Sequence, residues 1–493
     1  MNAFDLLVIG GGINGAGIAR DAAGRGLKVL LCEKGDLASQ TSSWSSKLIH
    51  GGLRYLEQYE FRLVAESLAE REVMLNIAPH LVWPARFIMP HVPELRPRWM
   101  IRTGLFLYDH LSRRSTLEGS HGIDLSAPPY DSGLKPGLRH GFIYSDCRVD
   151  DARLVVMNAM SAREQGAQVL TRTACVRAAR EQGNWQVHLV RGSEALDIHV
   201  RAVVNAAGPW VKDVLNDHLG QPSSDAVRLV KGSHVVVRKR YAGEHAFILQ
   251  NDDRRVVFMI PYERDYTLIG TTEVPVEGER GDPHASSEEI EYLCRAVNRY
   301  LARPVTPAEV VWSYSGVRPL YDDGSSDPSR VTRDYTLRVD DVEGRAAVLS
   351  VFGGKITTYR RLAEHAMDKL APYFPGLKPA WTANAPLPGG DFPAAARRKL
   401  FLDLARRYPR LPSEFLHGAH RRHGLLAADV AGDAKAAADL GEHFGADLYE
   451  REVAYLREHE WARDVDDILW RRTKCGLHMT QGQRVRLAHR LAG

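Results

Sequence analysis

Gly10, Gly12 and Gly15 stand in the spacing G-x-G-x-x-G, and Glu33 follows about twenty residues later. In that pattern the first glycine permits a tight turn, the second lets the backbone approach a pyrophosphate, and the third lets a helix pack on a strand. A carboxylate at the position of Glu33 can accept hydrogen bonds from a ribose hydroxyl. Farther along, Arg54, Arg318 and Arg333 sit beside glycines or turn residues rather than on solvated helix faces. A phosphate dianion needs fixed cations, and arginine presents a planar fork of donors suited to it. The glycine spacing with Glu33 therefore points to a dinucleotide site, whereas an arginine taken singly is more often a surface residue and only the longer motifs of the chain reverse that.

The elements that must position these groups can be read on either side of them. Residues 6–9 predict a strand, about 14–25 a helix and 28–31 a second strand closing on Glu33. The glycine turn thus offers a helix N-terminus, with its free N–H groups and positive dipole end, to the phosphates. Residues 39–46 hold five serines and a threonine, whose hydroxyls and backbone N–H groups can bind phosphate oxygens. A strand over 198–205 runs into Ala206, Ala207 and Gly208, small residues that let backbone come close to a ligand. A strand over 347–352, the turn Gly353-Gly354-Lys355 and a helix over 357–370 set a second helix N-terminus beside that ligand.

Helices are expected over 61–77 and 151–164, the latter entered through Asp150 and Asp151 as caps. Short strands follow over 169–171, 176–180 and 185–190. The segment 228–318 is strand-rich with one helix at 287–301, which predicts a mostly antiparallel sheet forming a separate substrate layer. Residues 95–111 interleave arginines with aromatic and aliphatic residues, a pattern read first as a core helix with a basic face. Pro386, Pro388, Gly389 and Gly390 mark a boundary before a charged, all-helical last hundred residues. His417, His420 and His423 have Arg421 and Arg422 between them and no carboxylate or thiolate beside them, so a solvated basic helix face is expected and no metal.

The bulk numbers exclude several classes. A chain of 493 residues with 44% hydrophobic and 26% charged residues has ordinary globular composition, enough for two or three domains. A net charge of +4 gives no reason to expect a nucleic-acid partner. Five scattered cysteines without a C-x-x-C pair argue against disulfides and a zinc cage and fit a reducing compartment. The first residues lack the basic region of a signal peptide, and no apolar run is long enough to span a bilayer.

A family resemblance rests on longer motifs. These are the glycine triplet, the run Ser42-Ser43-Trp44-Ser45-Ser46-Lys47-Leu48-Ile49-His50-Gly51-Gly52-Leu53-Arg54-Tyr55-Leu56, and Val351-Phe352-Gly353-Gly354-Lys355-Ile356-Thr357-Thr358-Tyr359. They continue through Lys231-Gly232-Ser233-His234, Ile269-Gly270-Thr271-Thr272, Tyr314-Ser315-Gly316-Val317-Arg318-Pro319-Leu320, Thr332-Arg333-Asp334-Tyr335 and Trp470-Arg471-Arg472-Thr473-Lys474. Together they resemble the FAD-dependent glycerol-3-phosphate dehydrogenases of the bacterial, aerobic respiratory type. Glu273 departs from the aspartate usual after the paired threonines.

The resemblance implies an α/β fold: a Rossmann-like FAD-binding domain (1–75, 145–220 and 320–385), a mostly antiparallel β-sheet substrate domain (76–144 and 221–319) and an all-α C-terminal domain (386–493). It implies that FAD takes a hydride from the second carbon of glycerol 3-phosphate and that the electrons pass to a membrane quinone. Cofactor contacts fall on Gly10, Gly12, Gly15, Glu33, Ser42, Ser43, Ser46, Lys47, Leu48, Gly208, Gly354, Lys355, Ile356 and Thr357. Substrate contacts fall on Arg54, Tyr55, Thr271 and Arg333. His234 is the leading general base, its ordinary pKa lying near neutrality. Arg318 and Lys355 stabilise the developing alkoxide, and a Lys355 of depressed pKa is an alternative base. Peripheral attachment to anionic lipid on the cytoplasmic face of the inner membrane is expected through residues 96–108 or 357–374, and a homodimer is compatible with it. An oxygen-using oxidase of the same fold and a non-catalytic flavin-binding regulator are the competing readings.

Overall fold

The computed structural model describes residues 2–492 apart from 93–95, 113–115, 224, 226, 254, 277–279 and 323–333. The first strand, Asn2–Ile9, lies between Val29–Cys32 and Glu194–Asn205 and runs parallel to both. Arg345–Phe352 and Gln168–Leu170 extend the parallel set outward. Successive side chains of a strand point to opposite faces, and both faces of Asn2–Ile9 find a core. Leu6 and Val8 pack with the helices Ile13–Gly24, Asp151–Glu164 and Tyr359–Leu370. Leu7 and Ile9 meet Trp185, Val187 and Leu189 of an antiparallel meander laid on the other side. A strand buried on both faces reads as an unbroken apolar run, as 6–9 does.

The second sheet has ten strands, centred on the long antiparallel pair Val227–Arg238 and Val310–Tyr321. It is not antiparallel throughout: Ala246–Gln250 runs parallel to Val82–Pro90, which pairs antiparallel with His140–Val149. These last two strands escape the sequence reading. Pro84 and Pro90 argue against a strand there, and burial along Val82–Pro90 does not alternate cleanly. Leu48–Ile49 joins His140–Val149, so the chain leaving the serine-rich loop is stitched into the second sheet. The loop is thereby fixed between the two layers.

Two further expectations are corrected. Arg98–His110 is helical, but Ile101, Leu105 and Tyr108 make its buried stripe, while Trp99 and Phe106 are 69% and 53% exposed. Its outward face is aromatic as well as basic. In the C-terminal region, helices such as Ser413–His423 and Glu450–His459 accompany a small hairpin, His443–Gly445 with Leu448–Tyr449. His420, Arg422 and His423 are buried there rather than solvated. Arg422 pairs with Glu452 at 2.7 Å, and His423 Nε2 lies 2.9 Å from the same carboxylate. Among the described residues no cluster of ligating side chains suited to a metal occurs.

Candidate active site

The strand Asn2–Ile9 ends at Gly10, whose φ of +112° suits glycine. A Cβ on Gly15 would lie 1.9 Å from the Gly10 carbonyl oxygen, so glycine there lets the helix press onto the turn. Glu33 fixes the turn from the side: Gly11 N–H and Gly35 N–H each donate to its carboxylate at 2.7 Å. Ala38 N–H donates to Gly11 O at 3.0 Å, tying the following loop to the same place. The N-cap residue of the helix Ile13–Gly24 is Gly12, which has no side chain to cap it, and the first turn holds no acidic residue. A helix N-terminus at a glycine turn is a ready anion site. Asn14 Nδ2 donates to Gly353 O at 3.2 Å, which brings the two glycine turns side by side.

The serine-rich loop is held against the strand Val310–Tyr321. Thr41 Oγ1 donates to Val317 O at 2.6 Å, and Tyr314 Oη to Ser45 O at 2.8 Å. Ser42 Oγ accepts from Ile13 N–H at 3.0 Å, placing that hydroxyl at the helix start. Ser46 Oγ lies 2.9 Å from His234 Nε2. His50 N–H meets Thr357 Oγ1 at 3.4 Å, and Gly51 N–H donates to Tyr108 Oη at 2.8 Å.

These segments enclose a cavity of about 540 Å³, within the usual range for ligand sites. Gly10, Gly12, Glu33, Ser42, Ser46 and Leu48 line it, as do Gly208, Gly354, Ile356 and Thr357. So do Arg54, Tyr55, Thr271, Arg318, Lys355 and His234. Lys355 Nζ stands 4.0 Å above the Tyr55 ring, and Lys34 Nζ 4.2 Å above the Trp210 ring elsewhere on the wall. Arg318 Nη2 lies 3.2 Å from Thr271 Oγ1 and Nη1 3.5 Å from Glu273. Two glycine turns, a helix start facing them and a cavity of this size fit FAD.

The histidines are electrostatically similar and geometrically different. Burial, reinforced by the charges of Arg318 and Lys47, holds His234 well below its ordinary pKa. Its ring stacks on Tyr314 at 4.8 Å, its Nε2 is taken by Ser46, and its Nδ1 is buried without a partner among the described residues. His234 therefore stands on the cavity wall with its Nε2 engaged by Ser46 Oγ. His50 lines the same cavity and was passed over in the sequence; the one available signal was its position directly before Gly51-Gly52. Burial lowers its pKa, Asp146 opposes the shift, and Lys355 and Arg71 add to it.

Three expected cofactor contacts, Gly15, Ser43 and Lys47, do not line the cavity; Gly15 lies behind it, pressed on the Gly10 carbonyl. Lys47 turns its ammonium inward, 2.9 and 3.0 Å from the Asp151 oxygens and 2.9 Å from Ser43 O, and does not face the cavity. Ser43 Oγ donates to Gln40 O at 3.3 Å and is buried within the loop. Arg333 lies outside the described residues.

Comparison with known proteins agrees with this geometry. The family described as FAD dependent oxidoreductase matches residues 5–360, and the C-terminal domain of alpha-glycerophosphate oxidase matches residues 380–489. A glycerol-3-phosphate dehydrogenase of Pseudomonas aeruginosa is 55% identical over 99% of this chain and 95% of its own length. A D-erythritol 1-phosphate dehydrogenase of Brucella abortus is 52% identical over 97% of this chain and 96% of its own. The solved glycerol-3-phosphate dehydrogenase of Bacillus halodurans, complexed with FAD, superposes with a TM-score of 0.77 at 26% identity, covering 99% of this chain and 94% of that one.

Proposed function

This chain belongs to the glycerol-3-phosphate dehydrogenase family of FAD-dependent oxidoreductases, and from that premise we propose that it oxidises sn-glycerol 3-phosphate to dihydroxyacetone phosphate. The observation that carries the reading is a single cavity lined both by the dinucleotide turn and by Arg54, Arg318 and Lys355. Bound FAD supplies the two-electron acceptor for the hydride that leaves the substrate carbon. The protein supplies the rest. Arg54 and Lys355 bind the phosphate, and Arg318, oriented by Thr271, faces the alkoxide that develops as the hydroxyl proton leaves. That proton goes to a neutral imidazole, at His50 directly or at His234 by way of Ser46 Oγ.

We further infer that the electrons pass to a membrane quinone and that the protein rests on the bilayer to deliver them. Among the described residues no helix is long and apolar enough to cross a membrane. The face of Arg98–His110 with Trp99, Met100, Phe106 and Leu107 exposed supports attachment at a surface. The alternative segment fits less well, since Tyr359–Leu370 turns Tyr359, Leu362, Ala366 and Met367 into the first core.

Anaerobic titration of the FAD-loaded protein with sn-glycerol 3-phosphate tests the reaction: the flavin absorbance should bleach in proportion to dihydroxyacetone phosphate formed. The same titration with D-erythritol 1-phosphate separates the substrate classes. Bleaching by the longer polyol phosphate alone would overturn the substrate while keeping the reaction, and no bleaching by either would overturn both.

A further inference from the structure

The motif Trp470-Arg471-Arg472-Thr473-Lys474 belongs to the C-terminal domain and contributes nothing to the lining of the cavity. It reaches the loops that form the cavity by three routes. Arg472 grips Asp36 with both nitrogens of its fork, at 2.7 and 2.8 Å, and Arg471 Nε adds a third bond to the same carboxylate at 2.6 Å. Asp36 lies three residues past Glu33, in the loop that Ala38 ties to Gly11. Lys474 Nζ meets Asp150 at 3.0 Å. The neighbouring Asp151 holds the far end of the same loop through Lys47 and through Ser45 Oγ at 2.7 Å. Trp470 stacks on Trp312 at 4.6 Å, and Trp312 stands 6.1 Å from Trp44 of the serine-rich loop.

We propose that this motif is a clasp that positions the FAD-binding loop 33–47 from outside the cavity. The side chains of Arg472 and Asp36 are 0% and 1% exposed. Ion pairs so deeply buried return little net stability, because desolvation cancels much of their attraction, whereas removing one partner leaves an uncompensated charge. What such a group supplies is a single geometry. Loss of Arg472 would oblige Asp36 to seek water, dragging the chain between Glu33 and Thr41 away from the glycine turn. Loss of Lys474 would free the helix start that carries Asp151, and with it the Lys47 end of the loop. Arg471, Arg472 and Lys474 act through other residues and are positioning residues.

The inference rests on FAD occupying the cavity, and the test keeps the two apart. Apoprotein is titrated with FAD, following flavin fluorescence, for the parent, Arg472→Gln, Lys474→Met and the control Arg490→Gln. The control breaks a different ion pair of the same domain, Arg490 with Glu450, which touches neither Asp36 nor Asp150. The FAD dissociation constant should rise by about tenfold or more in the first two variants and stay within about twofold of the parent in the control. Hydrogen exchange of amides 35–47 should quicken in the first two variants alone, and Arg472→Lys should recover part of the affinity. If Arg472→Gln does not fold, Lys474→Met carries the test, its partner Asp150 lying closer to solvent. Unchanged affinity in the clasp variants, or equal weakening in all three, would overturn the clasp. A parent that does not bind FAD would overturn the cofactor assignment instead.

Discussion

Arg318 comes to the cavity already oriented, with Thr271 and Glu273 on its guanidinium, whereas Arg54 arrives on the short helical segment Leu53–Gln58, none of whose residues is buried. The two arginines should therefore fail differently. Arg318→Ala should lower kcat by about 10²–10³, the usual cost of losing a donor aimed at developing charge, with FAD still bound. Arg54→Ala should chiefly raise KM, by roughly tenfold to a hundredfold, since a charge-assisted hydrogen bond contributes about 1.5–3 kcal/mol. Steady-state kinetics on variants of verified flavin content would check both. Parental constants in the two variants would show that the anion site lies elsewhere.

Helix Arg98–His110 links the surface to the site. Tyr108, on its buried stripe, donates to Asp146 and accepts from Gly51 N–H at 2.8 Å. Arg96, just before the helix, pairs with Glu57 at 2.8 Å. The segment holding Arg54 and Tyr55 is thus tied to this helix at two points. On the outer side, burial of a large apolar side chain is worth about 1.5–3 kcal/mol. Replacing both Trp99 and Phe106 by serine should weaken sedimentation with anionic liposomes by about tenfold or more. High salt should release the parent only in part, because screening weakens the basic contribution and not the apolar one. Parent protein that stays in the supernatant at low salt would remove the case for surface attachment and favour the oxygen-using oxidase.

Across the whole molecule, desolvation favours the neutral form of several histidines, His80 and His234 fully buried and His50 half-buried on the cavity wall. Burial pushes His80, His234 and His50 below the ordinary value of 6.5. Above pH 6.5 neither the folded nor the unfolded chain protonates them, so they cost nothing. As pH falls from 6.5 toward their folded values, the unfolded chain binds the extra protons and stability is lost, by up to about 1.4 kcal/mol per group per pH unit. A second loss follows at lower pH. The carboxyl of Asp447 is pushed up by burial but held down to about 2 chiefly by Arg422, so its contribution declines as pH drops below its unfolded value of 3.8. Thermal unfolding should give a flat Tm from pH 8 to about 6.5 and a falling one from there to pH 5. A Tm that stays level down to pH 5 would contradict neutral burial of these rings.

The sequence by itself determined the glycine turn and the elements on either side of it. Glycine spacing, the helix start and the strand that ends at Glu33 are local, contained within the first thirty-odd residues, and backbone sterics demand those residue types wherever the motif occurs. The helices Phe61–Ile77 and Asp151–Glu164 were equally legible, since periodicity and capping act over a few turns. Tertiary structure decided what depends on partners far away in the chain. Lys47, a cofactor contact by family resemblance, has its ammonium drawn inward by Asp151, 104 residues on. His420 and His423 looked solvated until the C-terminal helices closed over them, and Trp99 looked buried until its helix turned that face outward. His234 could be named as titratable, but only the pairing of Val227–Arg238 with Val310–Tyr321 set its ring on Tyr314 and its Nε2 against Ser46. Local pattern specifies what a segment can become, while burial and charge compensation, being long-range, specify which way each side chain finally faces.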